Sequence, residues 1–137
     1  MEIFLVHPGG PFWAKKDLGA WTIPKGEIEE TERPFDAAKR ELEEETGLRV
    51  SGDFIELTPV KQKNNKLIYA WALPYDLGDI IIKSNSFEIE WPPKSGKKMT
   101  FPEIDRGAWF NTNQAKIKII QEQTPLITEL LKIRGLN

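Results

Sequence analysis

The chain has no cysteine. Disulfides, thiolate catalysis and cysteine-ligated zinc or iron–sulfur sites are therefore excluded. The same lack is compatible with a reducing cytoplasm, the location expected here. Histidine is nearly absent too. The single one, His7, falls at a strand end and reads as structural. No apolar run approaches the roughly 20 residues of a membrane-spanning helix. The first residues lack the basic region and long apolar stretch of a signal peptide. A charge excess is also missing: 19 Lys and Arg stand against 21 Asp and Glu, a net charge of -2. Such a chain has no general attraction for nucleic acid or an anionic membrane. Affinity for a polyphosphate must come from a local site, or from metal ions that reverse the local sign.

What remains is ordinary for one globular domain over residues 1–137, with 39% hydrophobic and 29% charged residues. There is no internal repeat, low-complexity tract or linker. Strands are expected at 2–6, 21–23, 54–60, 66–73 and 107–110, with one or two more within 80–90. Residues 8–20 and 91–103 read as loops from their Pro and Gly. Phe35, Ala38 and Leu42 form the apolar stripe of a helix over 34–46, opened by Pro34 and closed by Gly47. A C-terminal helical segment spans 112–133. It restarts at Thr124-Pro125 and turns Leu126, Leu130 and Ile133 to the core. Mixed strands with one internal and one terminal helical segment point to an α+β or α/β/α layered domain.

The informative stretch is Lys39-Arg40-Glu41-Leu42-Glu43-Glu44-Glu45-Thr46-Gly47. A solvated acidic face is the ordinary explanation of such a run. Two physical costs argue against it. Negative charge at a helix C-terminus opposes the macrodipole by about 0.3–1 kcal/mol per residue. Like charges at i,i+4, as in Glu41 and Glu45, add about 0.2–0.5 kcal/mol per pair. The arrangement makes sense if a cation sits against Glu41, Glu44 and Glu45. Carboxylates without His or Cys are hard oxygen ligands, which suit Mg²⁺ or Mn²⁺. Mg²⁺ commonly shares its remaining positions with substrate phosphates. Arg40, within reach of Glu44 and of upstream Glu32, can orient one carboxylate while held by another.

These residues complete a signature that resembles the Nudix box: Gly26, then Glu32, then Arg40-Glu41-Leu42-Glu43-Glu44-Glu45-Thr46-Gly47-Leu48, with every fixed position at its spacing. The resemblance implies a Nudix-like α/β/α sandwich with a mixed central sheet, a catalytic helix at about 34–46 and C-terminal helices. It implies a Mg²⁺- or Mn²⁺-dependent hydrolase that cuts a phosphoanhydride bond in a nucleoside-diphosphate-linked substrate. A dinucleoside polyphosphate or NTP is expected. A nucleotide sugar, ADP-ribose or a catalytically weak nucleotide-binding regulator is the alternative. Glu44 and Glu45 resemble the paired metal-binding glutamates. Glu41 resembles one that binds metal, orients water or acts as base. Arg40 resembles the arginine that orients the catalytic glutamate, with Glu32 as its partner. Gly26 and Gly47 are structural positions, and the Lys25 carbonyl is expected on the metal.

A further glutamate ahead of a Trp-containing strand is assigned to Glu103, with Glu88 or Glu90 as alternatives. The entry Trp21-Thr22-Ile23-Pro24-Lys25-Gly26 resembles that of members acting on dinucleoside polyphosphates, and makes Trp21 and Lys25 candidate substrate contacts. Phe12, Trp13, Trp91 and Tyr75 are aromatic residues near loops on which a base can stack. Lys94, Lys97 and Lys98 form a basic cluster able to steer phosphates. Nudix domains usually carry another strand ahead of Phe4-Leu5-Val6-His7-Pro8, and few residues precede it here. The first family strand therefore reads as absent or shortened, and the exposed edge makes a homodimer an expectation.

Overall fold

The computed structural model describes residues 1–24, 32–47, 49, 51–63, 65–74 and 84–135. In chain order these form β1 (Glu2–Pro8), α1 (Pro34–Thr46), β2 (Ile55–Glu56), β3 (Val60–Lys61), β4 (Leu67–Ile68), β5 (Trp71–Ala72), β6 (Ser86–Glu90), β7 (Lys98–Pro102), β8 (Ile104–Asn111), α2 (Thr112–Lys118), a 3₁₀ turn (Gln121–Gln123) and α3 (Thr124–Ile133). The strands associate as antiparallel pairs: β1 with β8, β2 with β5, β3 with β4 and β6 with β7.

Several expected boundaries shift. The strand expected at 54–60 is two short pieces, β2 and β3, and the one at 66–73 is β4 and β5. Each is only two residues long, so the apolar run there marks burial more than ladder length. The expected loop 91–103 contains a strand, β7, because Lys98–Pro102 has a partner in β6. Its side chains Lys98, Met99 and Thr100 are exposed, so no burial pattern revealed it. Residues 21–23 make isolated bridges, Val6 to Thr22 and Trp21 to Ile119, in place of a strand.

Helix α1 has the ends its residues call for. Pro34 lies in the first turn, where a missing N–H costs nothing. Gly47 closes it at φ 72°, donating its N–H to the Glu43 carbonyl at 2.7 Å. The C-terminal segment breaks between Lys118 and Gln121 and resumes at Thr124-Pro125. Leu126 is buried as expected. Ile133 is 48% exposed, however, and Ile127 and Leu131 take the core positions. The short break rotates the helix relative to a single period through 112–133.

The main core joins Leu5, Ala20, Trp21, Ala115, Ile119, Ile127 and Leu131. A second cluster holds Leu57, Ala70 and Leu126. The loop after β1 is anchored through Asp17, which accepts from the Trp21 Nε1 at 2.8 Å and pairs with Lys118 on α2. Those two hydrogen bonds, that of Lys118 foremost, hold the Asp17 carboxyl below its usual range. A depressed carboxylate stabilises the fold above its unfolded value and loses that contribution as pH falls through its folded value. Asp17→Asn is thus expected to lower the melting temperature at pH 7, and the gap from wild type should close as pH drops below 3.8. A gap that persists unchanged to pH 2 would dismiss the linkage.

No helix among the described residues is long and apolar enough to cross a membrane.

Candidate active site

The charged face of α1 is organised around Arg40. Its Nε and Nη2 donate to the two carboxylate oxygens of Glu32, at 2.7 and 2.9 Å, a bidentate clamp that fixes the guanidinium plane. Its Nη1 then reaches Glu41 at 2.9 Å and Glu44 at 3.3 Å. One guanidinium thus spans three carboxylates, with the Glu32 bond the main reason its proton is held more tightly than usual. Glu45 lies one step round the helix and is 8% exposed. Glu44 is half exposed, at the mouth of the cluster.

Burial raises the Glu41 carboxyl above its ordinary range. Arg40 opposes this, while the charges of Glu44 and Glu103 reinforce it. Glu103, distant in sequence, is therefore close enough for its charge to act on Glu41. It occupies the corner between β7 and β8. There its N–H donates to the Asn85 carbonyl at 2.8 Å and its carbonyl accepts from the Gly9 N–H at 2.8 Å. Three chain segments meet at this residue. Glu88 points instead toward Lys98 across the β6–β7 ladder, at 3.7 Å.

A raised carboxyl means that the native state holds its proton more tightly than the unfolded chain. Stability is therefore lost as pH rises through the window above 4.5. In metal-free buffer, Glu41→Gln is expected to melt progressively higher relative to wild type as pH rises from 4 toward 7. If wild type gained on the variant over that interval, the electrostatic picture of the cluster would be wrong.

The donor set is all oxygen and suits a hard divalent cation. Among the described residues, no three His, Asp or Glu side chains are grouped to clasp an ion. Arg40 Nη1 lies between Glu41 and Glu44 and supplies positive charge there. Lys25 and Gly26 lie outside the described residues, as does Tyr75, so the expected Lys25 contacts are not part of this geometry.

The aromatic candidates separate cleanly. Trp21 is 4% exposed, bonded to Asp17 and packed edge-on against His7 and Phe110. The Arg106 guanidinium lies over its ring at 5.2 Å, so the indole is engaged within the fold. Phe12, 57% exposed, meets Trp91 edge-to-face at 5.4 Å. Trp13 is exposed beneath the Lys16 ammonium. These loop rings remain accessible. Lys94, Lys97 and Lys98 are all exposed.

His7 is fully buried, with Nδ1 2.9 Å from an Asp105 carboxylate oxygen and Nε2 2.6 Å from the Lys16 carbonyl. It ties β1, β8 and the loop that carries Phe12 and Trp13. Asp105, Asp17 and Gly9 were not singled out from sequence. The only available signal was that Asp105 follows Glu103 by two residues, on the same strand.

Comparison with known proteins places this geometry in a family. The family model described as the NUDIX domain matches residues 2–130. An RNA pyrophosphohydrolase of Bartonella henselae is 62% identical over 29 residues, 21% of this chain and 17% of that protein. Nudix hydrolase 25 of Arabidopsis thaliana is 44% identical over 59 residues, 36% of this chain and 33% of that protein. An octanoyltransferase of Myxococcus xanthus is 35% identical over 97 residues, 71% of this chain but 24% of that protein. The chain thus spans a third or less of the length of these relatives. In fold it is similar to the solution structure of the E. coli ORF135 protein, with a TM-score of 0.62 over 98% of this chain and 82% of that one, at 19% identity. With a family match across nearly its whole length and an α+β architecture to go with it, the chain belongs to the Nudix family.

Proposed function

We propose that this Nudix domain, taken as residues 1–137, hydrolyses a phosphoanhydride bond in a nucleoside-diphosphate-linked substrate, with Mg²⁺ or Mn²⁺ as cofactor. The observation that carries this reading is the convergence of Glu32, Glu41 and Glu44 on the Arg40 guanidinium. Glu41, Glu44, Glu45 and Glu103 are the side chains to hold the cation, with the Lys25 carbonyl. The cation supplies positive charge that neutralises phosphate oxygens and acidifies the attacking water. Arg40, clamped by Glu32, fixes the Glu41 carboxylate so that it orients or deprotonates that water. A buried carboxylate with a raised pKa is better suited to accept that proton than an exposed one.

A dinucleoside polyphosphate or an NTP is the preferred substrate class. The similarity to RNA pyrophosphohydrolases supports cleavage of a pyrophosphate linkage. Phe12 and Trp13, exposed beside Trp91 and Lys16, are the rings offered to a base. Lys25 is proposed to contact phosphate.

The test is hydrolysis with product identification under Mg²⁺ and Mn²⁺. The panel should hold dinucleoside polyphosphates, NTPs, nucleotide sugars, ADP-ribose and 5′-triphosphorylated RNA. Cation-dependent release from a dinucleoside polyphosphate or NTP is the expected result. Turnover confined to ADP-ribose or nucleotide sugars would move the substrate class. Tight nucleotide binding with no turnover of any compound would make the protein a regulator and end the enzyme reading.

A further inference from the structure

His7 is fully buried and packed edge-on against Trp21, a position that an aliphatic side chain could fill with no polar group to satisfy. An imidazole is tolerated there only if both ring nitrogens are bonded, and both are. The Lys16 carbonyl can only accept, so Nε2 is the donor of the 2.6 Å bond to it. Nδ1 meets an Asp105 carboxylate oxygen at 2.9 Å. Regular strand pairing would not supply this second partner. His7 lies opposite Arg106 and Pro8 lies opposite Ile104, which leaves Asp105 as an extra residue on β8. Such a β-bulge re-aims a side chain, and bulges are over-represented beside active sites. This one falls two residues after Glu103.

The other partner, Lys16, ends the loop that carries Phe12 and Trp13. The near end of that loop is seated on β6, β7 and their surroundings. Gly9 donates its N–H to the Glu103 carbonyl at 2.8 Å. Gly10 lies flush on the Phe87 ring, where a Cβ would come within 2.7 Å of the ring edge. Phe12 meets the Trp91 ring at 5.4 Å. At the far end, His7 draws the Lys16 carbonyl into the core, while the Lys16 ammonium sits over the Trp13 ring at 5.0 Å. Fixing that backbone therefore also fixes the cation that covers Trp13. Phe12 and Trp13 are thus two exposed rings on a loop tied at both ends. Rings already held in place lose little further freedom when a flat ligand stacks on them.

We propose that His7 is a positioning residue for substrate recognition. Its Nε2 bond to the Lys16 carbonyl fixes the loop so that Phe12 and Trp13 receive the base. Its Nδ1 bond to Asp105 holds the same loop in register with the corner that carries Glu103. The inference rests on the reading that these two rings take the base. One buried side chain then sets where the base sits relative to the carboxylate cluster, and the loop is not left to find its own place. A base stacked on a ring contributes alike to the bound substrate and to the transition state. Loss of that contact therefore raises KM and spares kcat.

Two amide replacements in the full chain divide the two bonds of the ring. The Gln amide nitrogen reaches the place of Nε2, and the Asn amide nitrogen that of Nδ1. Both variants lose the packing of the imidazole. His7→Asn keeps the Asp105 bond and frees Lys16. It is expected to raise KM by roughly tenfold for ATP or diadenosine tetraphosphate with Mg²⁺, and to leave kcat within about twofold of wild type. His7→Gln should recover most of that KM. Where a probe binds without turnover, Kd from calorimetry is read in place of KM. Phe12→Ala and Trp13→Ala test the base contact directly and should raise KM in the same way. A rise in those two but none in His7→Asn would overturn the proposal. So would an equal rise in the Asn and Gln variants, as expected of a histidine that only packs. No change with Phe12→Ala and Trp13→Ala, or no binding of either probe, would remove the base-binding reading and the proposal with it. Should His7→Asn fail to fold, wild type decides by NMR. Either probe should shift the His7 Nε2 and Lys16 carbonyl resonances together with the Phe12 and Trp13 amides, and shifts of those amides alone would sink the proposal.

Discussion

Glu45→Gln is expected to abolish most of the cation-dependent hydrolysis while leaving the fold intact. Replacing an outer partner of a metal ligand already costs about 10–100-fold, so loss of a ligand's charge should cost at least roughly 100-fold. The fold is spared because the amide has nearly the carboxylate's shape, and its neutral form is easier to keep in a site only 8% exposed. Rates measured across a Mg²⁺ titration, alongside thermal melts, separate the two effects. Glu103→Gln should also lose activity, because its charge acts on Glu41. Glu88→Gln should not, because Glu88 faces Lys98. Near-wild-type rates for Glu45→Gln would remove it from the site, and a large loss with Glu88→Gln would move the outlying glutamate there.

The second large effect is expected at Gly9. A Cβ at this position would lie 2.0 Å from the Pro102 carbonyl oxygen and 3.0 Å from its carbon. Both atoms are backbone, so no rotamer relieves the clash. Gly9 also donates its N–H to the Glu103 carbonyl. Relief therefore means moving the β7–β8 corner that carries Glu103. Gly9→Ala is expected to destabilise by about 1–3 kcal/mol or more. It should also lower the rate beyond what the unfolded fraction accounts for, because the carboxylate moves with its backbone. Rates taken well below the melting temperature check this. A variant that melts lower but keeps the wild-type rate would show that the corner does not set Glu103.

The helix that carries the cluster was legible because its signals are local. Pro34, Gly47 and the spacing of Phe35, Ala38 and Leu42 act within a few turns, and α1 runs over the expected residues. The Arg40–Glu32 clamp was legible for the same reason, since Glu32 lies just ahead of the helix and Arg40 within its first two turns. The strands between 55 and 72 were less so. Ladder length depends on a partner, and a two-residue pairing leaves no period to detect. Strand β7 has mostly exposed side chains and no apolar alternation. Trp21 shows the limit at the level of a single residue. As a motif position it suggested substrate, whereas Asp17, His7 and Phe110, remote from one another in sequence, together make it core.

The sequence by itself determined the chemistry. The kinds of side chain and their spacing on one helix define an all-oxygen cluster with an arginine among the acids, and that pattern needs no tertiary information to be read. Only the tertiary structure decided what joins the cluster from elsewhere. The Glu103 backbone is fixed where Gly9, Asn85 and Glu103 meet at one corner. Among the described residues Phe12 and Trp13 stay accessible, whereas Trp21 is packed in the core. Such choices depend on contacts between residues far apart in the chain, which burial and backbone pairing settle and local periodicity does not encode.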